Sequence, residues 1–328
     1  MQTDRRGTRL VARILLVLTV ALAGLGPATG AYAFGGAFYP TQRIGNRGVD
    51  VLAIQYLLQE HGHDTPADGI FAAPLDIAVR AFQSAHNLAA DGIVGPKTWG
   101  ALVVTLTSGA SGPAVRALQV QLNKKRDARL SVNGSFDAAT RAAVVSFQSH
   151  AGIGPDGIVG PTTWTNLAWH YAYPDLSSGL CDQDPDGNGL ANWATGAAIG
   201  QLEAAATAFA ATGRGPVPLG DAGFEHGGGI PGHSSHDVGL DIDVWPIRTD
   251  AAQCTAGRIT WQSATYDRAA TRQLVNAIRA AAPGHVSFIL FNDPTLIAEG
   301  LTSQYANHDN HLHVRYCERV HPSSLYTC

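Results

Sequence analysis

Two stretches far apart in the chain carry side chains able to hold a metal ion. The first runs Gly227-Gly-Gly-Ile-Pro-Gly-His233-Ser-Ser-His236-Asp-Val-Gly239-Leu-Asp241-Ile-Asp243-Val-Trp245. The second runs Asn307-His308-Asp-Asn-His311-Leu-His313-Val-Arg315-Tyr-Cys317. Polar and apolar residues alternate in the second, so on a strand His311 and His313 point to one face. In the first, Leu240, Ile242 and Val244 alternate with Asp241 and Asp243, which puts both carboxylates on one face of another strand. His236 precedes that strand across a turn at Gly239. If the two strands are neighbours, His236, Asp243 and His313 converge on one point. Two imidazoles and one carboxylate form the three-ligand set of a catalytic zinc site, with the fourth position left to water. Zinc lowers that water's pKa towards 7 and polarises a carbonyl oxygen, which together suffice for amide hydrolysis. A lone His-x-His is usually surface decoration, and a lone Asp beside Gly is usually a turn. The combination is what points to a metal.

Composition agrees. Thirteen His is a generous count for 328 residues, and eight of them follow residue 225. The length predicts about two domains, or three if some are small. With 45% hydrophobic and 15% charged residues the chain is globular, which excludes disorder, collagen and coiled coil. A net charge of −4 argues against a nucleic-acid binder held by phosphate contacts. There is no Ser-x-x-Lys, Gly-x-Ser-x-Gly, His-Glu-x-x-His or phosphate loop. A peptide hydrolase without an acylating Ser should ignore β-lactams. Asp182-x-Asp184-x-Asp186-Gly187 opens like a calcium loop, but its twelfth position is Trp193 where a bidentate Glu is expected, so it reads as a turn.

Residues 1–33 read as a signal peptide. Arg5, Arg6, Arg9 and Arg13 precede an apolar stretch from Ile14 to Leu25, and Ala31-Tyr-Ala33 offers a cleavage site. No second segment is long and apolar enough to span a bilayer, so the expected product is exported and soluble, secreted or periplasmic. Cys181, Cys254, Cys317 and Cys328 then read as two disulfides, with three connectivities open. Pairing Cys317 with Cys328 would tie down the tail and leave Cys181 with Cys254.

The first half is duplicated. Phe82-Gln-Ser, Asp91-Gly-Ile-Val-Gly-Pro96 and Thr98-Trp99 recur 65 residues later as Phe147-Gln-Ser, Asp156-Gly-Ile-Val-Gly-Pro161 and Thr163-Trp164. Each copy reads as a bundle of three helices. In the first, Val51, Ile54 and Leu58 share a face, a second helix runs from Phe71 to Phe82, and a third starts at Pro96 and buries Trp99 and Leu102. Copy two repeats this with Val144, Phe147, Pro161, Trp164 and Leu167. His61, His63, His86 and His150 lack partners at ligand spacing and read as surface residues. Further on, Ala194 to Thr212 reads as a helix with Ile199, Leu202, Ala206 and Phe209 inward.

The repeated Asp-Gly-x-x-Gly-Pro-x-Thr-Trp resembles the peptidoglycan-binding domain of bacterial cell-wall hydrolases, over residues 34–104 and 105–170. The resemblance implies peptidoglycan as the binding target. Residues 171–328 resemble another group. Ser234, His236, Gly239 and Asp243 match the Ser-x-His-x-x-Gly-x-x-x-Asp motif of the lysostaphin, D-Ala-D-Ala peptidase and hedgehog-type metallopeptidases. His311-x-His313, with His308 three before it and His233 three before His236, is similar to the penicillin-insensitive murein endopeptidases. That resemblance implies His236, Asp243 and His313 as ligands of one zinc ion. It implies His311 as general base or oxyanion stabiliser, and His308 and His233 as hydrogen-bonding partners in the active site. Asp241 shares the ligand face as an acceptor that orients a ligand from behind. The expected architecture is two all-α three-helix bundles followed by an α+β zinc peptidase domain with an antiparallel sheet. The expected activity is cleavage of peptidoglycan cross-links. A zinc D,D-carboxypeptidase and a non-catalytic wall-binding protein with a structural zinc are the alternatives.

Overall fold

The computed structural model describes residues 37–183, 191–319, 321 and 324–328. The expected leader, residues 1–33, lies outside them, as do Asp184, Asp186 and Gly187 of the acidic run. Among the described residues no helix is long and apolar enough to cross a membrane.

The N-terminal half holds two sets of three helices. The first is α1 (Val49–Glu60), α2 (Ala73–Ala85) and α3 (Pro96–Leu102); the second is α4 (Pro113–Arg126), α5 (Ala138–His150) and α6 (Pro161–Trp169). Proline opens α3 and α6, where its fixed φ suits the first turn and its missing N–H costs nothing. The second helix starts at Ala73, later than the expected Phe71. Pro74 sets that start, and Phe71 is instead buried in extended chain, donating its N–H to the carbonyl of Asn46.

The repeated Asx-Gly pairs share one clamp. A buried glutamine on the preceding helix donates to the Asx side chain and accepts from the glycine N–H. Gln83 does this at Asp91-Gly92, with distances of 2.9 and 3.0 Å, and Gln148 at Asp156-Gly157, with 3.0 and 2.8 Å. Gln55 and Gln119 hold Asp68-Gly69 and Asn133-Gly134 in the same way. Four polar turns are thereby fixed with their buried groups satisfied.

The two sets share one core. α1 and α4 make the most extensive helix contact in the chain, and a single apolar cluster runs from Ile54 and Trp99 through Leu118 to Trp164. At its edge Lys125 is fully buried. Its ammonium donates to Asp50 at 2.7 Å and to the carbonyls of Leu167 and Ala168 at 3.0 and 2.8 Å, and Gln121 also donates to Asp50. Burial pushes the Lys125 amine down and Asp50 works against that.

The C-terminal half is built on a five-stranded sheet. Its strands are β1 (Leu180–Asp182), β2 (Val217–Leu219), β3 (Asp241–Val244), β4 (Val286–Leu290) and β5 (Leu312–Tyr316), in the order β1-β2-β3-β5-β4. Helices α7 (Gly196–Ala210) and α8 (Arg268–Ala281) pack on each other and share an apolar core with the sheet, and α9 (Pro294–Ala298) follows β4. The sheet is mixed, which corrects the antiparallel expectation: β1 and β2 pair in parallel, and the remaining pairings are antiparallel. The reason is α7, which lies between β1 and β2 in sequence and supplies the crossover that a parallel pair needs. α7 is shorter than the expected 194–212. Thr195 caps it, accepting from the Ala198 N–H at 3.2 Å, and Ile199, Leu202, Ala206 and Phe209 are buried as their spacing predicts.

α7 also meets the helical half. A side chain at Gly200 would collide with the Cα of Gly48, so only glycine permits the approach of α7 to the start of α1. Disulfides join Cys181 to Cys254 and Cys317 to Cys328.

Buried charge gives two cases to test, the Asp50–Lys125 pair and Glu318. Asp50→Ala leaves Lys125 buried without its counter-charge, and urea unfolding should show a loss of about 3–5 kcal/mol. Lys124→Ala breaks a partly exposed pair with Glu203 and should cost about 1 kcal/mol or less. Glu318, buried beyond β5, is the second case. Burial raises its carboxyl to about 8, with Asn46 pulling it down and Asp50 pushing it further up. The unfolded side chain ionises near 4.5, so between 4.5 and about 8 the folded state holds the extra proton. Stability should fall as pH rises through that window, and Glu318→Gln should remove that slope.

Candidate metal centre

β3 and β5 are hydrogen-bonded neighbours with Asp243 directly opposite His313 and Asp241 opposite Arg315. All four side chains therefore stand on one face, and His313 reaches both carboxylates. Its Nε2 donates to Asp241 Oδ1 at 2.9 Å, and its Nδ1 lies 3.1 Å from Asp243 Oδ1. Asp241 is fully buried. It also pairs with the Arg315 guanidinium and accepts from the His236 N–H at 3.1 Å.

His236 comes from the turn ahead of β3 and has a φ of 72°. A left-handed non-glycine residue costs roughly 1–2 kcal/mol. Two bonds hold it there: the N–H to Asp241, and Nδ1 donating to the Ala222 carbonyl at 2.6 Å. Gly239 makes the turn possible, because with φ 68° a Cβ would stand 2.5 Å from the Tyr171 ring. The remaining nitrogen, His236 Nε2, then lies 3.1 Å from His313 Nδ1 and 3.5 Å from Asp243 Oδ1.

These three atoms fit a tetrahedral cation. With His236 Nδ1 donating to Ala222 and His313 Nε2 donating to Asp241, the other ring nitrogen of each faces inward. Asp243 Oδ1 is buried and makes no hydrogen bond among the described residues. Separations of 3.1–3.5 Å match the edge of about 3.3 Å set by ligand distances of about 2.0 Å around zinc. The electrostatics mark the same spot. Burial alone would raise Asp243, but His233, His236 and His313 hold its carboxyl well below the usual range. Burial alone would lower His313, but Asp241 and Asp243 push it up to about 9. A proton or a metal ion satisfies this arrangement; an apolar filling does not.

The other expected residues ring this point. His311 Nε2 is 3.8 Å from Asp243 Oδ2, and its Nδ1 donates to Asn310 Oδ1 at 2.8 Å. Burial lowers His311 to about 4, with Asp243 opposing. His308 lies tilted against His311, with 4.6 Å between ring centroids, and donates Nδ1 to the Ala306 carbonyl at 2.8 Å. His233 Nε2 lies 3.6 Å from Asp243 Oδ2 and 3.5 Å from Asp221 Oδ2. All six residues singled out in the sequence are thus brought together, with Asp241 behind them.

Several neighbours were not foreseen. Asp221, just past β2, faces His233, and its carbonyl accepts the Asp243 N–H at 2.7 Å. Asp309 fixes the loop that carries His308 and His311, accepting from Trp261 Nε1 and Asn292 Nδ2 at 3.1 Å each. Asn292 then accepts from the Tyr305 N–H and donates its own N–H to the His308 carbonyl. The reading of His150 as a surface residue is corrected: it is half-buried against His170, His226 and Glu225. His61 is likewise held, its Nε2 2.9 Å from the Leu102 carbonyl.

Residues 47–102 and 111–167 each match the family described as putative peptidoglycan binding domain, and residues 188–284 match the penicillin-insensitive murein endopeptidases. Two matches to a peptidoglycan-binding domain are thus followed by one to the murein endopeptidases. It is 39% identical over 103 residues to the zinc D-Ala-D-Ala carboxypeptidase of Streptomyces albus G, a stretch covering 30% of this chain and 39% of that one. It is 37% identical over 110 residues to the N-acetylmuramoyl-L-alanine amidase CwlM of Mycobacterium tuberculosis, covering 30% and 27%. Among solved structures, the endolysin of Burkholderia AP3 phage is 35% identical with a TM-score of 0.20, over 27% of this chain and 35% of that chain. The chain thus spans about two fifths or less of these relatives' lengths. The murein endopeptidase match takes in His233, His236 and Asp243 but stops before His308, His311 and His313. The pairing of β3 with β5 is what brings those three beside the matched segment.

Asp241→Asn tests the support of the centre. It keeps the shape but takes away the charge that orients His313, and Zn2+ affinity should fall roughly 10–100-fold in a chelator competition titration.

Proposed function

We propose that this chain is a zinc-dependent endopeptidase of the cell wall, cutting the peptide cross-links of peptidoglycan outside the cytoplasm. The observation that carries the reading is the convergence of His236 Nε2, Asp243 Oδ1 and His313 Nδ1 within 3.1–3.5 Å, with further imidazoles beside them. The seams would fall at residues 104/105 and 170/171, after a leader ending at residue 33.

Bound zinc would supply Lewis acidity, polarising a carbonyl oxygen and making water a better nucleophile. The chain's own residues do the rest. With Nδ1 donating to Asn310, His311 turns the lone pair of Nε2 towards the centre. That tautomer suits a base that takes a proton from the attacking water and hands it to the leaving amine. His308 packs at a tilt against His311 and limits its swing, while His233 bridges Asp221 and Asp243 and orients the carboxylate. Two wall-binding domains raise the effective concentration of the enzyme on a repeating polymer.

The 39% identity to a zinc D-Ala-D-Ala carboxypeptidase favours a second reading, removal of terminal D-Ala by the same centre. Mass spectrometry of purified cross-linked muropeptides decides between them. Loss of dimers supports the endopeptidase; release of free D-Ala from intact dimers supports the carboxypeptidase. A chelator should stop the reaction and a β-lactam should leave it untouched. His311→Ala should lower kcat by roughly 10²–10⁴-fold while zinc content is kept. Unchanged turnover in that variant would refute its role as base, and absence of any turnover in the zinc-loaded wild type would leave a binding protein.

A further inference from the structure

A second group of histidines lies at the junction of the second peptidoglycan-binding domain and the sheet domain. His150 ends α5, His170 follows α6, and Glu225 and His226 open the glycine-rich loop that leads to His233. Their ligand atoms all lie within 4.8 Å of one another. Glu225 Oε1 is 3.3 Å from both His150 Nε2 and His170 Nε2, and Glu225 Oε2 is 3.6 Å from His226 Nε2. The three ring centroids form a nearly equilateral triangle with sides of 5.0–5.5 Å. Three imidazole nitrogens therefore surround one carboxylate, a donor set suited to a borderline-soft divalent metal.

The outer contacts have the same form as at the first centre. His170 is fully buried and its Nδ1 donates to the Tyr171 carbonyl at 2.7 Å, which fixes Nε2 as the acceptor that faces the cluster. His236 is held through Ala222 in this way, and such backbone bonds orient ligating histidines. Positive charge is already supplied here by Arg126 at the end of α4. Its Nη1 donates to His150 Nε2 at 3.1 Å and pairs with Glu225. Arg126 also lines an open groove of about 1040 Å³ between the helical half and α7, so the guanidinium has room to swing away.

We propose that His150, His170, Glu225 and His226 form a second Zn2+ site, in which the metal takes the place of the Arg126 guanidinium and clamps the second binding domain to the peptidase domain. No water need be activated there; the role is structural, and it fixes one end of the loop that carries His233.

The test is metal counting on the full chain, stripped with a chelator, equilibrated with buffered Zn2+ and read by inductively coupled plasma mass spectrometry. Wild type should hold two zinc ions and His313→Ala one. The paired variant His150→Gln, His226→Asn should also hold one, with a wild-type far-ultraviolet circular dichroism spectrum and retained muropeptide cleavage. Arg126→Gln should fill the second site at free Zn2+ at least roughly fivefold lower, as expected when a partly exposed ion pair no longer competes. Wild type holding a single ion that only His313→Ala removes would overturn the second site and leave the catalytic centre standing. A single ion that only the paired variant removes would support the second site and overturn the catalytic centre. Arg126→Gln with unchanged or weaker Zn2+ binding would overturn the exchange of guanidinium for metal.

Discussion

The register of β3 against β5 is the constraint on which everything at the centre depends. Asp243 stands opposite His313 because Asp241 pairs with Arg315, Ile242 with Val314 and Val244 with Leu312. A slip of one residue would turn both carboxylates into the apolar core and bring Ile242 to the metal face. The core forbids it, since Leu240, Ile242, Val244, Leu312 and Val314 are all buried on the opposite side. Hydrophobic burial thus sets a distance between two charged atoms. His236 is added from outside the strand by its strained backbone, held through Asp241 and Ala222.

Two buried carboxylates in one small volume would repel each other if left unpaired. The chain solves this asymmetrically. Asp241 is neutralised from within by Arg315 and the His313 ring, and it spends its oxygens on holding other groups in place. Asp243 keeps one buried oxygen without a hydrogen bond, facing two imidazole nitrogens. The first carboxylate is thus structural support and the second keeps the oxygen that the proposed metal would take, although they lie two residues apart on one strand. Alternation places both on the same face; only the cross-strand partner tells them apart.

That difference marks how far the sequence could be read. Alternation around His311 and His313, and around Asp241 and Asp243, was legible because a period of two is a local property. The helices of the duplicated half were legible from their apolar spacing and from Pro96 and Pro161 at their starts. The parallel β1–β2 pair was not, because both strands have three residues and their orientation is set by the return of α7. Asp221 was missed because it sits alone in a loop, and Asp309, though inside the histidine motif, because its partners Trp261 and Asn292 are distant in sequence. His150, His170 and Glu225-His226 come from three separate segments whose spacing carries no signal at all. Clusters made by domain docking have no sequence period.

The docking itself bears on function. Flexibly tethered binding domains let a hydrolase sweep a sphere of substrate around its anchor, with an effective concentration set by linker length. Here the two binding domains share a core, Asp50 of the first pairs with Lys125 of the second, and Gly200 of the peptidase domain packs on Gly48 of the first. Tyr171, the second residue after α6, lies against Gly239 in the turn that presents His236. The residues that end the wall-binding half therefore form one wall of the turn that builds the metal centre. With so little slack, the helical half is held at a set distance from His236, Asp243 and His313. If the chain cuts cross-links as proposed, this rigid geometry would favour bonds at a set distance from a bound strand, so position in the mesh would select among chemically identical cross-links.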